Sequence, residues 1–277
     1  MPPINLLLND LCYARAMRVF PLQLRTRQAA FSLVELSVVM AIVSIIAVLG
    51  LESMAAYMGR TAYDTTQKRL EVIREALAKH RYVYGYLPCP ANHAVGPSDT
   101  TFGKEIRSGT ACSSSSITAD IHYGYVPVRD LQLPIAYMKD GYGSYLRYVV
   151  SEPLTVAGTG SGQFGNASSA GLITIRTGKL EQPCSTQCQE LTDRAAYVLL
   201  SFGGDRRGST TSGSTSTTCI SDTGFDAMID SANCRFGSGS LSVAVPYDVF
   251  YDSRFNNGKV EENHFDDLIV WQTKSQL

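Results

Sequence analysis

Residues 25–51 read RTRQAAFSLVELSVVMAIVSIIAVLGL. From Phe31 to Leu51 the side chains are apolar or small, and Glu35 is the single charge. A helix over this run is about 31 Å long, enough to cross the hydrocarbon core of a bilayer. Arg25 and Arg27 precede the run and no basic residue follows it closely. The apolar run predicts a transmembrane helix over residues 31–52. The charge asymmetry predicts that its N-terminus lies in the cytoplasm.

Glu35 is costly in such a helix. A carboxylate at mid-bilayer costs about 2.5 to 3.5 kcal/mol on insertion scales, and less near the interface. No basic side chain lies nearby in the sequence to pair with it. Cleavage between Ala30 and Phe31 would create a positive α-amino group on Phe31, which the Glu35 of a neighbouring copy could neutralise. Such pairing would stagger the copies in an assembly.

The run AFSLVEL (residues 30–36) with its aliphatic helix resembles the class III signal of type IV pilins and type II secretion pseudopilins. The resemblance implies that a prepilin peptidase cuts between Ala30 and Phe31 and methylates Phe31. It also implies that Glu35 is needed for assembly with other pilin or pseudopilin subunits. The family usually has Gly before the cut; Ala30 is also small, so we expect cleavage. The alternative interpretation is an ordinary signal anchor.

The resemblance implies a structural subunit, a minor pilin or pseudopilin, without catalytic activity. The resemblance also implies that the subunit is first held in the bacterial inner membrane, with its C-terminal domain in the periplasm. It then moves into a filament or to the cell surface. Secretion pseudopili, type IV pili and competence pili share this signal. The implied parts are a leader at 1–30, a membrane and assembly helix at 31–52, an amphipathic helix at 53–85 and a β-rich head at 86–277. Met17 is a second candidate start.

Apolar residues continue at helical spacing beyond the membrane run. Ile73, Leu77, His80 and Tyr84 fall on one stripe of an otherwise charged segment. Gly85 is a natural helix stop, and the prolines that follow it prevent continuation. The sequence therefore predicts one long helix whose second half packs on the head, and His80 is expected to be a packed side chain.

The head is predicted to be an antiparallel β-sheet with long loops, so the fold class is α+β and pilin-like. Short segments rich in branched and aromatic residues are the strand candidates. They are 124–128, 145–151, 172–176, 197–202, 241–245 and 267–272. Tracts rich in Gly, Ser and Thr are the predicted surface loops, at 108–119, 155–171 and 208–219.

Cysteine usage predicts disulfides on the far side of a membrane. Cys12 leaves with the leader, and six cysteines remain in the mature chain: Cys89, Cys112, Cys184, Cys188, Cys219 and Cys234. An even count in such a compartment is typical of disulfides. Neighbouring positions favour the pairs Cys89–Cys112, Cys184–Cys188 and Cys219–Cys234. Structural zinc requires closely spaced pairs of Cys or His ligands, and the sequence shows no such set.

The charge balance gives no sign of nucleic acid as a partner. The leader carries four of the 24 basic residues and one of the 25 acidic residues, so the mature net charge is −4. A nucleic-acid-binding domain is expected to carry a basic surface. Partner pilins and the peptidase are implied by the resemblance alone.

Three segments of the head also resemble pseudopilin motifs: KDGYGSYLRY (139–148), YVLLSFGGD (197–205) and HFDDLIVW (264–271). Some pseudopilins bind calcium in such loops, which makes Asp205, Asp266 and Asp267 candidate ligands. Calcium needs six to eight oxygens, more than these loops supply, so turn capping is the favoured interpretation and no cofactor is predicted.

A further pair, GYLPCPA (85–91) and GYVPVRDL (124–131), resembles segments of prepilin-like proteins without a known activity. Enzymatic motifs are not apparent in the sequence. GSGQFG (160–165) is not placed between a strand and a helix as a dinucleotide site requires. His264 and Asp266 could form an acid–base pair, but no nucleophile accompanies them. The alternative function is a single-pass, membrane-anchored binding or enzymatic domain.

Overall fold

The computed structural model describes residues 32–114, 116–118, 120–157, 170–178, 188–209, 233, 248–253 and 265–277. The side chains of 49–53, 55, 56 and 116–118 lie outside this description. The chain divides between Leu51 and Glu52 into two compact units. An α-helix, α1 (Leu33–Tyr84, 52 residues), contributes to both units. A β-sheet follows it in the second unit, so the protein is of the α+β class.

Helix α1 begins and ends at recognisable signals. Ser32 lies just before it and accepts a hydrogen bond from the Val34 N–H through its Oγ at 3.3 Å. At the other end, Gly85 adopts a φ of +81° and its N–H donates to the Arg81 carbonyl at 2.8 Å. Glycine takes this left-handed conformation without a Cβ clash, and the predicted stop at Gly85 is confirmed.

The first part of α1 is apolar and uncovered within its own unit. The side chains of residues 32–48 are all exposed. Leu33, the most exposed large apolar side chain among them, keeps 86% of its surface accessible. The sequence predicts a membrane span at 31–52; within the part of the chain that the structure describes, no helix is both long and apolar enough to cross a membrane.

The second part of α1 packs on the sheet through the predicted stripe. Leu70, Ile73 and Leu77 are fully buried, and His80 is 7% exposed. His80 Nδ1 contacts the Tyr86 carbonyl at 3.1 Å, as expected of a packed histidine. The stripe ends at His80: Tyr84, predicted to continue it, is 52% exposed because the chain leaves the helix one residue later.

The strands of the head are short except for one. In chain order they are β1 (Arg107–Ser108), β2 (Ala111–Cys112), β3 (Ser116–Thr118), β4 (Ile121–Tyr125), β5 (Arg147–Ser151), β6 (Ile173–Gly178), β7 (Cys188–Ser201), β8 (Val249–Tyr251) and β9 (Leu268–Thr273). Short 3₁₀ helices occupy Ile135–Met138, Glu152–Leu154 and Lys274–Gln276.

The main sheet is organised around β7. Its first half pairs with β6, and its second half lies between β5 and β9. The order from the other edge is β3, β4, β5, β7, β6, β8. The pairings are antiparallel as predicted, except that β8 runs parallel to β6. Register shifts interrupt the pairing of β7 with β6 and β9, and such bulges bend and twist a sheet.

Most of the testable strand predictions are confirmed, at β5, β6, β9 and the second half of β7. The candidate at 124–128 is displaced: β4 ends at Tyr125 because the Pro127 carbonyl accepts the Asp130 and Leu131 N–H groups in a turn. The candidate at 241–245 lies outside the described residues. The loop predicted at 108–119 is partly wrong, since a small hairpin of β1 and β2 and then strand β3 form there.

Both faces of the sheet are buried. Successive residues of β5 alternate between two apolar clusters: Tyr148 and Val150 pack with the buried stripe of α1, whereas Val149 packs with Val198 and Phe250. Side chains alternate between the faces of a strand, so these clusters lie on opposite sides. The second cluster explains why β5 has no exposed polar positions.

Candidate functional site

Glu35 lies in the first turn of α1, and its side chain is exposed. There a carboxylate is favourable beside the positive end of the helix dipole. Among the ion pairs of the described residues, none includes Glu35. The cleavage site itself, Ala30 and Phe31, lies outside the described residues. The described helix therefore carries this carboxylate in its first turn.

The three head segments that resemble pseudopilin motifs meet in one cluster, which we call the three-segment cluster. Its centre is Asp140, which is 2% exposed. Asp140 Oδ1 accepts hydrogen bonds from the backbone N–H groups of Tyr142 (2.9 Å) and Ser144 (2.8 Å). Its Oδ2 accepts one from the Ser201 hydroxyl at 2.8 Å. The carboxylate thus holds its own turn and fixes that turn to the end of β7.

The third segment joins the cluster through Asp266. Its Oδ2 accepts hydrogen bonds from the N–H groups of Gly204 (2.7 Å) and Asp205 (2.9 Å). A Cβ on Gly203 would lie 2.2 Å from the Asp266 carbonyl oxygen, so only glycine fits there. Burial, and then the negative charges of Asp266 and Asp140, raise the pKa of Tyr142 to about 12.

Helix α1 docks directly on the turn of the first segment. Arg69 Nη1 donates to the carbonyls of Lys139 (2.7 Å) and Asp140 (2.9 Å). The Gly141 N–H donates to the Thr66 hydroxyl at 2.8 Å. The sequence analysis did not predict that Arg69 and Thr66 attach α1 to this turn. Their position beside the apolar stripe of α1 is the signal that would have indicated it.

The candidate calcium ligands are engaged in other contacts. Asp205 contacts Arg207 through both oxygens, at 2.9 Å to the backbone N–H and 3.3 Å to Nε. Asp267 Oδ2 accepts a hydrogen bond from the Asn233 amide at 2.9 Å. In the described ranges, no group of three or more His, Cys, Asp or Glu side chains is placed to hold a metal ion. Absence of a cofactor stays a prediction. His264, the suggested acid–base partner of Asp266, lies outside the described residues.

A disulfide fixes the exit from α1. Cys89 and Cys112 are bonded, with their Cα atoms 5.4 Å apart, as their positions predicted. The Cys89 N–H also donates to Glu105 Oε2 at 2.9 Å. Cys188 is disulfide-bonded as well. Its predicted partner Cys184, and the predicted pair Cys219 and Cys234, lie outside the described residues, so those pairings stay predictions.

The two segments 85–91 and 124–131 are neighbours. Ala91 and Tyr125 exchange backbone hydrogen bonds of 2.9 and 3.0 Å. A Cβ on Gly124 would lie 2.2 Å from the Ala91 carbonyl oxygen, so glycine allows this close approach. This contact joins the segment after α1 to β4, two residues beyond the disulfide-bonded Cys89.

Comparison with known proteins identifies the N-terminal segment. Residues 25–51 match the family described as the prokaryotic N-terminal methylation motif, which confirms the class III signal read from the sequence. The motif is that of pilin-type proteins processed by a prepilin peptidase, and it supports a structural, pilin-like protein. No curated protein and no solved structure is significantly similar to the chain.

Proposed function

We propose that this protein is a structural subunit, a minor pilin or pseudopilin, of a type IV pilus-like or type II secretion filament. The observation that carries the proposal is the methylation motif at 25–51, with Glu35 in the first turn of α1. An exposed apolar helix supports it, because apolar surface of this extent requires a lipid or protein cover.

In this proposal prepilin peptidase cuts between Ala30 and Phe31 and methylates the new amine of Phe31. The apolar part of α1 anchors the precursor in the bacterial inner membrane, with the head in the periplasm. In the filament, the same apolar surface is covered by the helices of other subunits. Glu35 of one subunit neutralises the amine of its neighbour, which removes the cost of two unpaired charges in an apolar medium.

The head serves assembly as a rigid body in the proposal. The three-segment cluster fixes α1 to the turn at Gly141, and the Cys89–Cys112 disulfide ties the segment that follows α1 to β2. Such fixing transmits the position of the helix in the filament to the head surface. The partners are other pilin or pseudopilin subunits; the mature charge of −4 disfavours nucleic acid.

The experiment compares Glu35→Ala with Glu75→Ala, a control at another exposed glutamate of α1. Each variant is expressed in the native host, and intact mass is measured for the membrane and sheared-filament fractions. We expect a mature N-terminus at Phe31 carrying one methyl group in both. Glu35→Ala should remain in the membrane and be missing from filaments, whereas Glu75→Ala should enter them.

Normal incorporation of Glu35→Ala would contradict the assembly role of that carboxylate. An uncut wild-type chain, or a cut beyond Leu51, would contradict the processing step itself and favour the anchored-domain alternative.

A further inference from the structure

Arg147 is a buried guanidinium with two donor nitrogens that no acceptor of the described residues meets. It begins β5, lies between Tyr125 of β4 and Leu200 of β7, and is 1% exposed. Its Nε and Nη1 atoms are buried and have no hydrogen-bond partner among the described residues. None of the ion pairs formed among the described residues includes it. Within the described part of the chain, two donor nitrogens and a positive charge are thus left without an acceptor.

This arrangement is unfavourable without further hydrogen-bond acceptors. Arginine stays protonated in proteins, so it cannot escape burial by losing its charge. The guanidinium carbon lies 5.2 Å from the centre of the Tyr125 ring, and the ring face attracts the cation. A ring face does not supply the oxygen lone pairs that N–H groups require. Buried charges in proteins are ordinarily paired and hydrogen-bonded.

His93 is a second unsatisfied group, and it contacts the same Tyr125 ring as Arg147. Its ring stacks on Tyr123 at 5.1 Å and meets the edge of Tyr125 at 6.4 Å. Its Nδ1 is buried and finds no hydrogen-bond partner in the described ranges. Burial, and then the positive charge of Arg147, lower the pKa of His93 to about 4, so the ring is neutral at neutral pH. The His93 side chain as a whole is only half-buried, so His93 reaches the surface.

We propose that Arg147 and His93 form a binding site for one small monocarboxylate, of the size of formate or acetate. One guanidinium and a neutral imidazole carry a single positive charge, which one carboxylate balances. A dianion would leave a buried negative charge in excess. Because Arg147 is almost fully enclosed, the ligand is a free small anion and not the side chain of another protein. The inference is independent of the filament role.

The first test is a titration of the mature full-length protein in detergent at neutral pH. Sodium acetate is compared with sodium chloride at equal ionic strength, and melting temperature is recorded. We expect acetate at ten times its dissociation constant to raise the melting temperature by about 3 °C or more, with no such rise in chloride. In protein with labelled histidine, NMR should show acetate raising the pKa of His93, because a bound anion favours the imidazolium.

Phosphate is the third titrant and tests the ligand class. A smaller effect than that of acetate is expected. An equal or larger rise in melting temperature with phosphate would overturn the assignment to a monocarboxylate.

The matched variants are Arg147→Met and Arg107→Met. Removing an unpaired buried charge is often neutral or stabilising, so Arg147→Met should melt no lower than wild type in chloride and lose its response to acetate. Arg107 donates to the carbonyls of Thr110 and Thr155 and pairs with Glu105. Arg107→Met should therefore melt lower and keep the acetate response. A wild-type protein that does not respond to acetate would overturn the proposal, whether or not Arg147→Met folds.

Discussion

At the scale of single residues, His93 makes stability depend on pH. The ordinary pKa of histidine is about 6.5, and burial with the charge of Arg147 lowers that of His93 to about 4 in the folded protein. Between these values the unfolded chain binds a proton that the folded chain does not. The contribution of neutral His93 is therefore fully present above pH 6.5 and is lost as pH falls towards 4.

We expect this loss to be about 1 to 2 kcal/mol after allowance for the solvent exposure of the ring. Urea unfolding of wild type and His93→Gln across this pH range, in a buffer free of carboxylates, measures it. The variant should lose less stability on acidification. Burial also raises the pKa of Asp140 and Asp252, which acts in the opposite sense. Their effect cancels in the comparison, and parallel curves for the two proteins would contradict the prediction.

Some residues that carry local chemistry could be predicted from sequence. Glu35 lies in the matched signal, and its assembly role stays a proposal, whereas the bond between Cys89 and Cys112 was predicted from their neighbouring positions. Arg147 lies in the segment 139–148, but its burial was not predictable from sequence. A single charge in YLRYVVS (145–151) is compatible with a strand at the edge of a sheet as well as with one at its centre. Only the pairing of β5 on both sides decides between them.

At the scale of elements, α1 was predictable because its signals are local. The 3.6-residue period predicted the buried stripe, and Gly85 predicted the end. The strands were predicted less completely. Branched and aromatic residues indicated β5 and the end of β7, although both are buried on both faces and lack alternation, whereas the first half of β7 and strand β8 were not predicted. The parallel pairing of β6 and β8 could not be predicted, because it joins strands that are distant in sequence.

The docking of α1 on the turn at Gly141 gives a prediction for a pair of variants. A Cβ on Gly141 would lie 2.0 Å from the Ala62 carbonyl oxygen, within the backbone of α1. Gly141→Ala must therefore move the turn or the helix and weaken the hydrogen bonds from Arg69 and to Thr66. We expect a loss of about 2 to 4 kcal/mol in the free energy of unfolding.

Gly59→Ala is the control, because a Cβ at Gly59 meets nothing within 4 Å and the residue lies inside α1. Alanine should stabilise the helix there by about 0.5 to 1 kcal/mol. Chemical unfolding of both variants measures the difference. If Gly141→Ala were as stable as wild type, the contact between helix and turn would not hold in solution.

At the scale of the whole molecule, the two apolar clusters that stabilise the head contain no residue of the exposed apolar segment. The buried members of the first cluster begin at Leu70, and its earliest partly buried member is Tyr63. The second cluster begins at Ile121. The division of the chain after Leu51 agrees with this, because the second unit contains both apolar clusters. The exposed apolar residues before it serve a different environment, which the proposed function assigns to membrane and filament.

A fragment that begins at Gly59 should therefore fold without the apolar segment. It retains the buried stripe, the Arg69 anchor and both clusters, so we expect a cooperative transition within about 3 °C of that of the full chain in detergent. Circular dichroism during heating measures both proteins. The fragment should stay in solution without detergent, because the exposed apolar residues that the structure describes before Gly59 have been removed. A fragment without cooperative melting would show that residues before Gly59 complete the core. The assembly role of α1 would then be inseparable from the folding of the head.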